Sequence, residues 1–145
     1  MRFLTAALIL ALATWTAGAA DDAKDAAKKL EGTYKVVSVT ADGKPDPKKA
    51  ENVTAVIKDG VITIQTGKKD EPAKFTLDPS KKPAQIDITP ARGKEKTIPG
   101  IYATKETDAG LELTIAFGDG PNAERPKDFK GDKGAVITFL RKKEK

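Results

Sequence analysis

The chain has 145 residues, with 26 lysines and arginines against 21 aspartates and glutamates, and a formal net charge of +5. It contains no cysteine and no histidine, which excludes disulfides, thiol chemistry, a histidine general base and the usual His/Cys zinc or haem sites. Its one methionine and its one tryptophan are Met1 and Trp15, close to the N-terminus.

The first 20 residues predict a secretory signal peptide. Arg2 is followed by the short apolar run of residues 3–13 and then by small residues that end in Ala17-Gly18-Ala19-Ala20. A basic start, an apolar centre and an Ala-x-Ala site are typical of cleaved signals. The run is shorter than the roughly 20 apolar residues that a membrane span needs. We therefore expect a secreted or periplasmic protein in which residues 21–145 form a single domain.

Residues 21–30 predict a short amphipathic helix, with Asp21 or Asp22 as its N-cap. Small apolar residues recur there at the helical spacing, namely Ala23, Ala26, Ala27 and Leu30. A stripe of mostly alanine buries little surface, so we expect this helix to pack against a larger element.

After Gly32 the apolar period changes from 3.6 to 2, which predicts strands with one buried and one solvated face. The alternation is clearest in three segments, residues 73–78, 84–89 and 111–115. Less regular strands are predicted at residues 33–41, 53–58, 61–66, 98–104 and 135–140.

Turn residues and a change of phase add detail to these strands. Asp59-Gly60 predicts a tight two-residue hairpin, and Asp108-Ala109-Gly110 predicts a second turn. In the first strand, the apolar residues Tyr34 and Val36 are at even positions, whereas Val37 and Val39 are at odd positions, which a regular strand would place on its opposite face. A β-bulge would produce that change and would bend the strand.

Eight short strands without long helices between them predict an all-β fold. An eight-stranded antiparallel up-and-down barrel is favoured because closure removes exposed strand edges, and a β-sandwich is the alternative. The interior of such a barrel holds either packed side chains or one small ligand. The candidate lining residues are Phe75, Leu77, Ile86, Ile88, Leu111, Leu113, Ile115 and Phe117.

Several motifs occur in an order that is typical of one family. They are Leu30 to Ser38, Asp42-Gly43-Lys44-Pro45, Leu77 to Pro83, Ile86-Asp87-Ile88, Gly100-Ile101-Tyr102 and Glu124-Arg125-Pro126. Together they closely resemble a lipocalin-like family of small secreted domains that is expanded in planctomycete bacteria. The resemblance covers residues 30–141. It implies an eight-stranded barrel outside the cytoplasm and brings no settled activity.

The resemblance also implies how the barrel is closed. The wider lipocalin-type barrels begin with Gly-x-Trp and end with an Arg or Lys whose cation packs over the indole. The corresponding residues here are Gly32, Tyr34 in place of the tryptophan, and Arg141. A tyrosine ring can still hold a guanidinium within about 6 Å of its centroid. The alternative is that Gly32 ends the helix and Tyr34 is a core residue, and either role is structural.

The sequence offers little chemistry for catalysis or for cofactors. Ser38 and Ser80 are the only serines after residue 20, and no histidine or cysteine is present to form an ordinary triad. The segment Ser80-Lys81-Lys82 is better explained as a turn flanked by prolines. Neither glycine-rich phosphate-binding motif is present. We therefore expect a protein that is not an enzyme and that binds no cofactor.

The charged residues do not form a specific metal or nucleic-acid motif. Asp119, Asn122 and Glu124 could offer oxygen ligands to calcium, but they lack the spacing of an EF-hand and are ordinary turn residues. Lysine clusters alternate with acidic residues and aromatic residues are scarce, which favours a solvated surface over nucleic-acid binding. We expect no metal and no nucleic acid, and weak attraction to anionic envelope polymers stays open.

Two hypotheses for function remain, and both use the irregular segments 42–52 and 118–134. Such long loops are often functional. In the first, a monomeric barrel binds a small apolar or amphipathic ligand at its mouth, with the loops as rim and lid. In the second, the core is dry and the loops contact a protein partner. The rim candidates are Asn122, Glu124, Arg125 and Phe129. A structural role for Glu124-Arg125-Pro126, with Arg125 paired to a barrel carboxylate, is the competing interpretation.

Overall fold

A computed structural model describes residues 17–92 and 96–143 of the protein. In chain order the elements are α1 (Ala17–Lys29), β1 (Gly32–Ala41), β2 (Lys44–Pro45), a 3-10 turn (Pro47–Lys49), β3 (Thr54–Lys58), β4 (Val61–Gln65), β5 (Asp70–Asp78), β6 (Ala84–Pro90), β7 (Ile98–Thr107), β8 (Gly110–Phe117) and β9 (Ala135–Lys142). No helix in the described ranges is long and apolar enough to cross a membrane.

The strands form a closed antiparallel barrel. Strands β1 and β3 to β9 each pair with their neighbours in chain order, and β9 pairs back with β1. The two-residue strand β2 pairs with the last two residues of β1, Thr40 and Ala41. The predicted all-β barrel of eight strands is therefore confirmed, and the sandwich alternative is wrong. Each predicted strand is present, although several are longer than the segment predicted from alternating apolar residues. For example, β5 begins at Asp70 rather than at residue 73, because residues 70–72 also pair with β4.

The predicted irregularities of the strands are also present. Along the β1–β9 pair the register shifts between Val36 and Ser38, which leaves Val37 as the extra residue of a bulge. Val37 is 47% exposed, whereas Val36 and Val39 on either side of it are buried. The bulge thus lets both buried valines face the interior despite their opposite parity.

The hairpin between β3 and β4 has the predicted turn. Asp59 and Gly60 have φ angles of 52° and 74°. Two successive residues with positive φ are what a two-residue type I′ turn needs, and Asp-Gly is a preferred pair for it.

The helix begins earlier than the sequence pattern predicts. It starts at Ala17 rather than at Asp21, so Asp21 and Asp22 lie inside α1 and the predicted N-cap is wrong. Alanine is the strongest helix former, and the alanines before Asp21 extend the helix towards the N-terminus. The rest of the predicted signal peptide, residues 1–16, lies outside the described residues.

The helix packs on the barrel as expected for an alanine-rich stripe. Ala26 and Ala27 contact the interior cluster, Leu30 is buried in it, and α1 lies beside β5. The barrel therefore has a helix end, where β1 begins and β9 ends. Its short connections are residues 59–60, 79–83 and 108–109. At the opposite, loop end lie the connections 42–53, 66–69 and 118–134.

The barrel interior is filled by side chains. Tyr34, Leu113, Ile115 and Phe139 are at most 1% exposed. The rings of Tyr34 and Phe139 meet edge to face, with centroids 6.4 Å apart and planes at 82°. All eight candidate lining residues belong to this interior cluster, six of them buried and Leu111 and Phe117 partly buried. Among the described residues no polar or charged residue is fully buried.

Candidate functional site

At the helix end, Arg141 joins the last strand to the helix and to the first strand. Its guanidinium carbon lies 5.6 Å from the centroid of the Tyr34 ring. Its Nη1 donates hydrogen bonds to the carbonyl oxygens of Lys29, at 3.0 Å, and of Glu31. A cation is favoured beside these carbonyls because the C-terminus of a helix carries partial negative charge. The structure therefore contains the cation–π contact that the resemblance implies.

The phenol of Tyr34 holds the same junction from inside the barrel. Its hydroxyl donates a hydrogen bond to the Leu30 carbonyl oxygen at 2.8 Å. Burial raises the pKa of Tyr34 above its usual value, and the charge of Arg141 partly opposes that shift. The phenol therefore stays neutral and acts as a hydrogen-bond donor.

Gly32 is required by the path of the Arg141 side chain. Its φ is +142°, and a Cβ at this position would lie 2.6 Å from Cδ of Arg141. A side chain would be strained by the backbone conformation and would collide with the arginine. Gly32, Tyr34 and Arg141 thus form one structural unit at the helix end.

The 118–134 segment, which we call the strap, lies on the outer wall of the barrel. Its Phe129 packs against a second apolar cluster formed by Ile101, Ala116 and Val136. These three residues alternate with the interior residues of β7, β8 and β9, so they face outwards. Phe129 thus covers the wall, and the expectation that it forms part of a lid over the barrel mouth is wrong.

Arg125 fixes one part of the strap to strands β6 and β7. Its Nη1 donates to the carbonyl oxygens of Gly100, at 2.7 Å, and Ile86, at 3.3 Å. Its Nη2 lies 2.7 Å from Oδ1 of Asp87, an outward-facing carboxylate of β6. Arg125 is thus paired with a barrel carboxylate, as the structural interpretation of Glu124-Arg125-Pro126 predicts, and its guanidinium is not directed into the barrel mouth.

The far part of the strap is joined to the other long loop. The backbone nitrogens of Asp42 and Gly43 donate to the carbonyl oxygens of Gly134, at 3.0 Å, and Gly131, at 2.6 Å. The strap therefore crosses the outside of β7, β8 and β9, from Asp87 on β6 to the β1–β2 turn.

The 42–52 loop is also anchored rather than free. Lys44 and Pro45 pair with the end of β1, and the backbone nitrogen of Asp46 donates to the carbonyl oxygen of Val39 at 2.8 Å. Ala50 packs against the interior cluster. The loop thus runs back along β1 and is held there by its backbone, although most of its side chains are exposed.

Exposed charges and two depressions flank the middle of the strap. Asn122, Glu124 and Lys127 are exposed, and Nζ of Lys127 lies 3.8 Å from Oε1 of Glu124. Such an exposed pair contributes little to stability. A depression of about 300 Å³ separates the strap from β8 and β9, and another of about 510 Å³ separates residues 124–127 from the start of β6.

The Ser80 segment has the geometry of a turn. The Ser80 hydroxyl donates to Oδ1 of Asp78 at 2.5 Å, and the Ser80 backbone nitrogen donates to the same oxygen. The hydroxyl hydrogen bond is the main cause that lowers the pKa of Asp78. A carboxylate with a lowered pKa is a weak base, and the chain has no histidine that could activate the Ser80 hydroxyl for nucleophilic attack. In the part of the chain that the structure describes, no three metal-ligating side chains cluster.

Searches against models of protein families, curated proteins and solved structures found no match to this chain. The strand pairing alone therefore establishes the barrel, and membership of the lipocalin-like family remains a prediction.

The outer apolar cluster was missed by the sequence interpretation, although the sequence contains a signal for it. In three strands two adjacent apolar residues interrupt the alternation: Ile101-Tyr102, Ile115-Ala116 and Val136-Ile137. Adjacent apolar residues on a strand indicate burial on both faces. Asp87 and Gly100, which hold Arg125, have no comparable signal.

Proposed function

We propose that the protein is a non-enzymatic interaction module of the extracytoplasmic space, with a dry barrel core and with the strap as its contact surface for a protein partner. The observation that carries this proposal is the fixed position of the strap, whose charged middle faces solvent. The predicted signal peptide motivates the location. We also propose membership of the lipocalin-like family, for which the barrel topology and the Tyr34–Arg141 contact are the support.

Preorganisation of the strap supports this role. Arg125, Phe129 and the Gly131 and Gly134 carbonyls are all held by the barrel or by the 42–52 loop. A surface that is ordered before binding loses less conformational entropy when a partner docks. The exposed charges between these anchors would then provide electrostatic complementarity and specificity.

Packing of the interior argues against a small ligand at the barrel mouth, the other hypothesis. The eight candidate lining residues contact one another and the rings of Tyr34 and Phe139. A ligand between them would have to displace well-packed side chains, and overpacking a core costs about 1–3 kcal/mol or more.

The first experiment is native mass spectrometry of the protein recovered from the extracytoplasmic fraction of its host. We expect the bare mass of the processed chain. A reproducible small-molecule adduct that is released on denaturation would overturn the dry-core proposal and would identify the class of ligand.

The second experiment tests the strap directly by quantitative cross-linking and affinity capture in the same fraction. Glu124→Ala/Lys127→Ala should lose the partner that the wild-type protein retains. The matched control is Glu71→Ala/Lys74→Ala, which removes an exposed Glu and Lys, also three residues apart, from β5. Equal loss in both double variants, or no partner retained by the wild-type protein, would refute the role of the strap.

A further inference from the structure

A depression on the outer wall of the barrel, away from the strap, has the composition of a binding groove. It lies across β3, β1 and β9 and has a volume of about 470 Å³. Lys35 is at its centre, paired directly with Thr54 on one side and with Leu140 on the other. We call it the cationic groove; its lining residues are Thr33, Tyr34, Lys35, Asn52, Val53, Thr54, Leu140 and Lys142.

The charge of this groove is of one sign. Lys35 and Lys142 are its charged residues, and no carboxylate lines it. Four further depressions on the described surface, of about 300 to 550 Å³, each include at least one carboxylate. One of them adjoins the groove, because it shares Thr33 and Lys142 with it, and there Glu31 and Glu106 are accompanied by Arg141 and Lys143. The three ion pairs among the described residues do not involve Lys35 or Lys142.

The neighbouring strand does not cancel this charge. The next acidic residue along the row that contains Lys35 and Leu140 is Glu112 on β8. Its direct cross-strand partner on the other side is Lys105 of β7. Opposite charges that are directly opposed across two strands attract one another. Glu112 thus has a cationic neighbour in Lys105 on its other side, and it does not line the groove.

The remaining walls suit a hydroxylated ligand. Thr33 and Thr54 offer hydroxyl groups, Asn52 offers a side-chain amide, and Val53 and Leu140 are apolar. Hydroxyl and amide groups can each donate and accept hydrogen bonds, as sugar hydroxyls do. Lysine is a compact point charge that needs no bidentate geometry, which suits carboxylate or sulfate groups on a flexible chain.

A peptide partner fits this groove less well. One common mode of peptide binding adds the peptide as a strand to an open sheet edge, but β1 is paired on both sides here. Aromatic anchors are typical of protein interfaces, and the one aromatic residue of the groove, Tyr34, has its side chain in the barrel interior.

We propose that the cationic groove binds an acidic polysaccharide, a chain of sugars that carries carboxylate or sulfate groups. Lys35 and Lys142 would neutralise its charges, while Asn52, Thr33 and Thr54 would bond its hydroxyl groups. The site does not share a residue with the strap, so this proposal does not depend on the proposed protein partner.

The test is a titration of the full processed chain with two labelled probes, polygalacturonate and dextran sulfate, at low ionic strength. We expect binding of at least one probe, which weakens as salt is added because exposed charges are screened. Lys35→Gln/Lys142→Gln should weaken binding by about tenfold, as expected for two surface ion contacts. Binding to one probe alone would define whether carboxylate or sulfate is the preferred group.

The matched control is Lys58→Gln/Lys74→Gln, which removes the same charge from the outer wall. Lys58 and Lys74 lie on β3 and β5, each opposite Val61 of β4. We expect this control to bind the probe within about twofold of the wild-type protein, since its lysines are outside the groove. An equal loss in both double variants would show attraction to net charge and would overturn the proposal.

Two further measurements separate a glycan site from a merely cationic surface. Asn52→Gly keeps a residue that tolerates the φ of +56° and removes only the amide. It should weaken binding of the probe without lowering the melting temperature. Equal affinity for polyglutamate, unchanged affinity in Asn52→Gly, or no binding of either polysaccharide would each overturn the proposal.

Discussion

Truncation of Tyr34 is the sharpest test of how the helix end is held together. The side chain is fully buried, meets Phe139 edge to face, donates to the Leu30 carbonyl oxygen and lies beneath the Arg141 guanidinium. Removing a buried aromatic side chain costs about 3–5 kcal/mol. For a domain of this size that loss corresponds to a melting temperature lower by roughly 10–20 °C.

Tyr34→Phe separates the ring from its hydroxyl. It keeps the packing and the cation–π contact and removes one buried hydrogen bond, which costs about 0.5–1.5 kcal/mol. Combining Tyr34→Leu with Arg141→Met in a double-mutant cycle measures the ring–guanidinium coupling, which we expect to be about 0.5–2 kcal/mol.

The assay is thermal and urea unfolding followed by circular dichroism, with the wild-type protein as reference. A Tyr34→Ala protein with the same melting temperature and the same urea midpoint as the wild-type protein would refute the packing argument. Zero coupling in the cycle would refute the contribution of the cation–π contact while leaving the packing intact.

Two further predictions concern the strap and the tyrosines. Phe129→Ala should lower the free energy of unfolding by about 2–3 kcal/mol, because it uncovers Ile101 and its outer cluster. Limited proteolysis should then cut the strap faster than in the control variant Lys130→Ala. Equal cleavage rates in the two variants would contradict this prediction. Burial raises the folded-state pKa of Tyr34 and of Tyr102, where Asp78 adds to the effect. Their contribution to stability is therefore complete below about pH 10 and is lost as the pH rises through the raised pKa. Melting temperatures measured between neutral and strongly basic pH should fall less in Tyr102→Phe than in the wild-type protein, and an identical fall in both would contradict the assignment.

The strands were predictable because their signals are local. Alternation of apolar residues sets which face of a strand is buried, Asp59-Gly60 sets the hairpin, and the phase change at Val37 marks the bulge. The helix start was not predictable from its cap, because the alanines before Asp21 continue the helix without one.

The position of the strap could not be predicted from local pattern. Arg125 finds its partners about 25 to 39 residues away in the sequence, and two of them are backbone carbonyl oxygens, which no side-chain pattern reveals. For the groove, the sequence showed lysines interleaved with acids. Only the pairing of β1 with β3 and β9 places Lys35 and Lys142 together without a carboxylate.

The strand pair that closes the barrel joins its first strand to its last strand, so closure depends on contacts that are distant in sequence. Residues 35–41 of β1 pair with residues 135–140 of β9, so about 100 residues must be made before the last ladder can form. Contacts this distant in sequence slow folding. A chain that ends before residue 135 would expose the open edges of β1 and β8, where strands of other chains can add. Completion of the last strand is thus the step that converts an aggregation-prone curved sheet into a closed barrel.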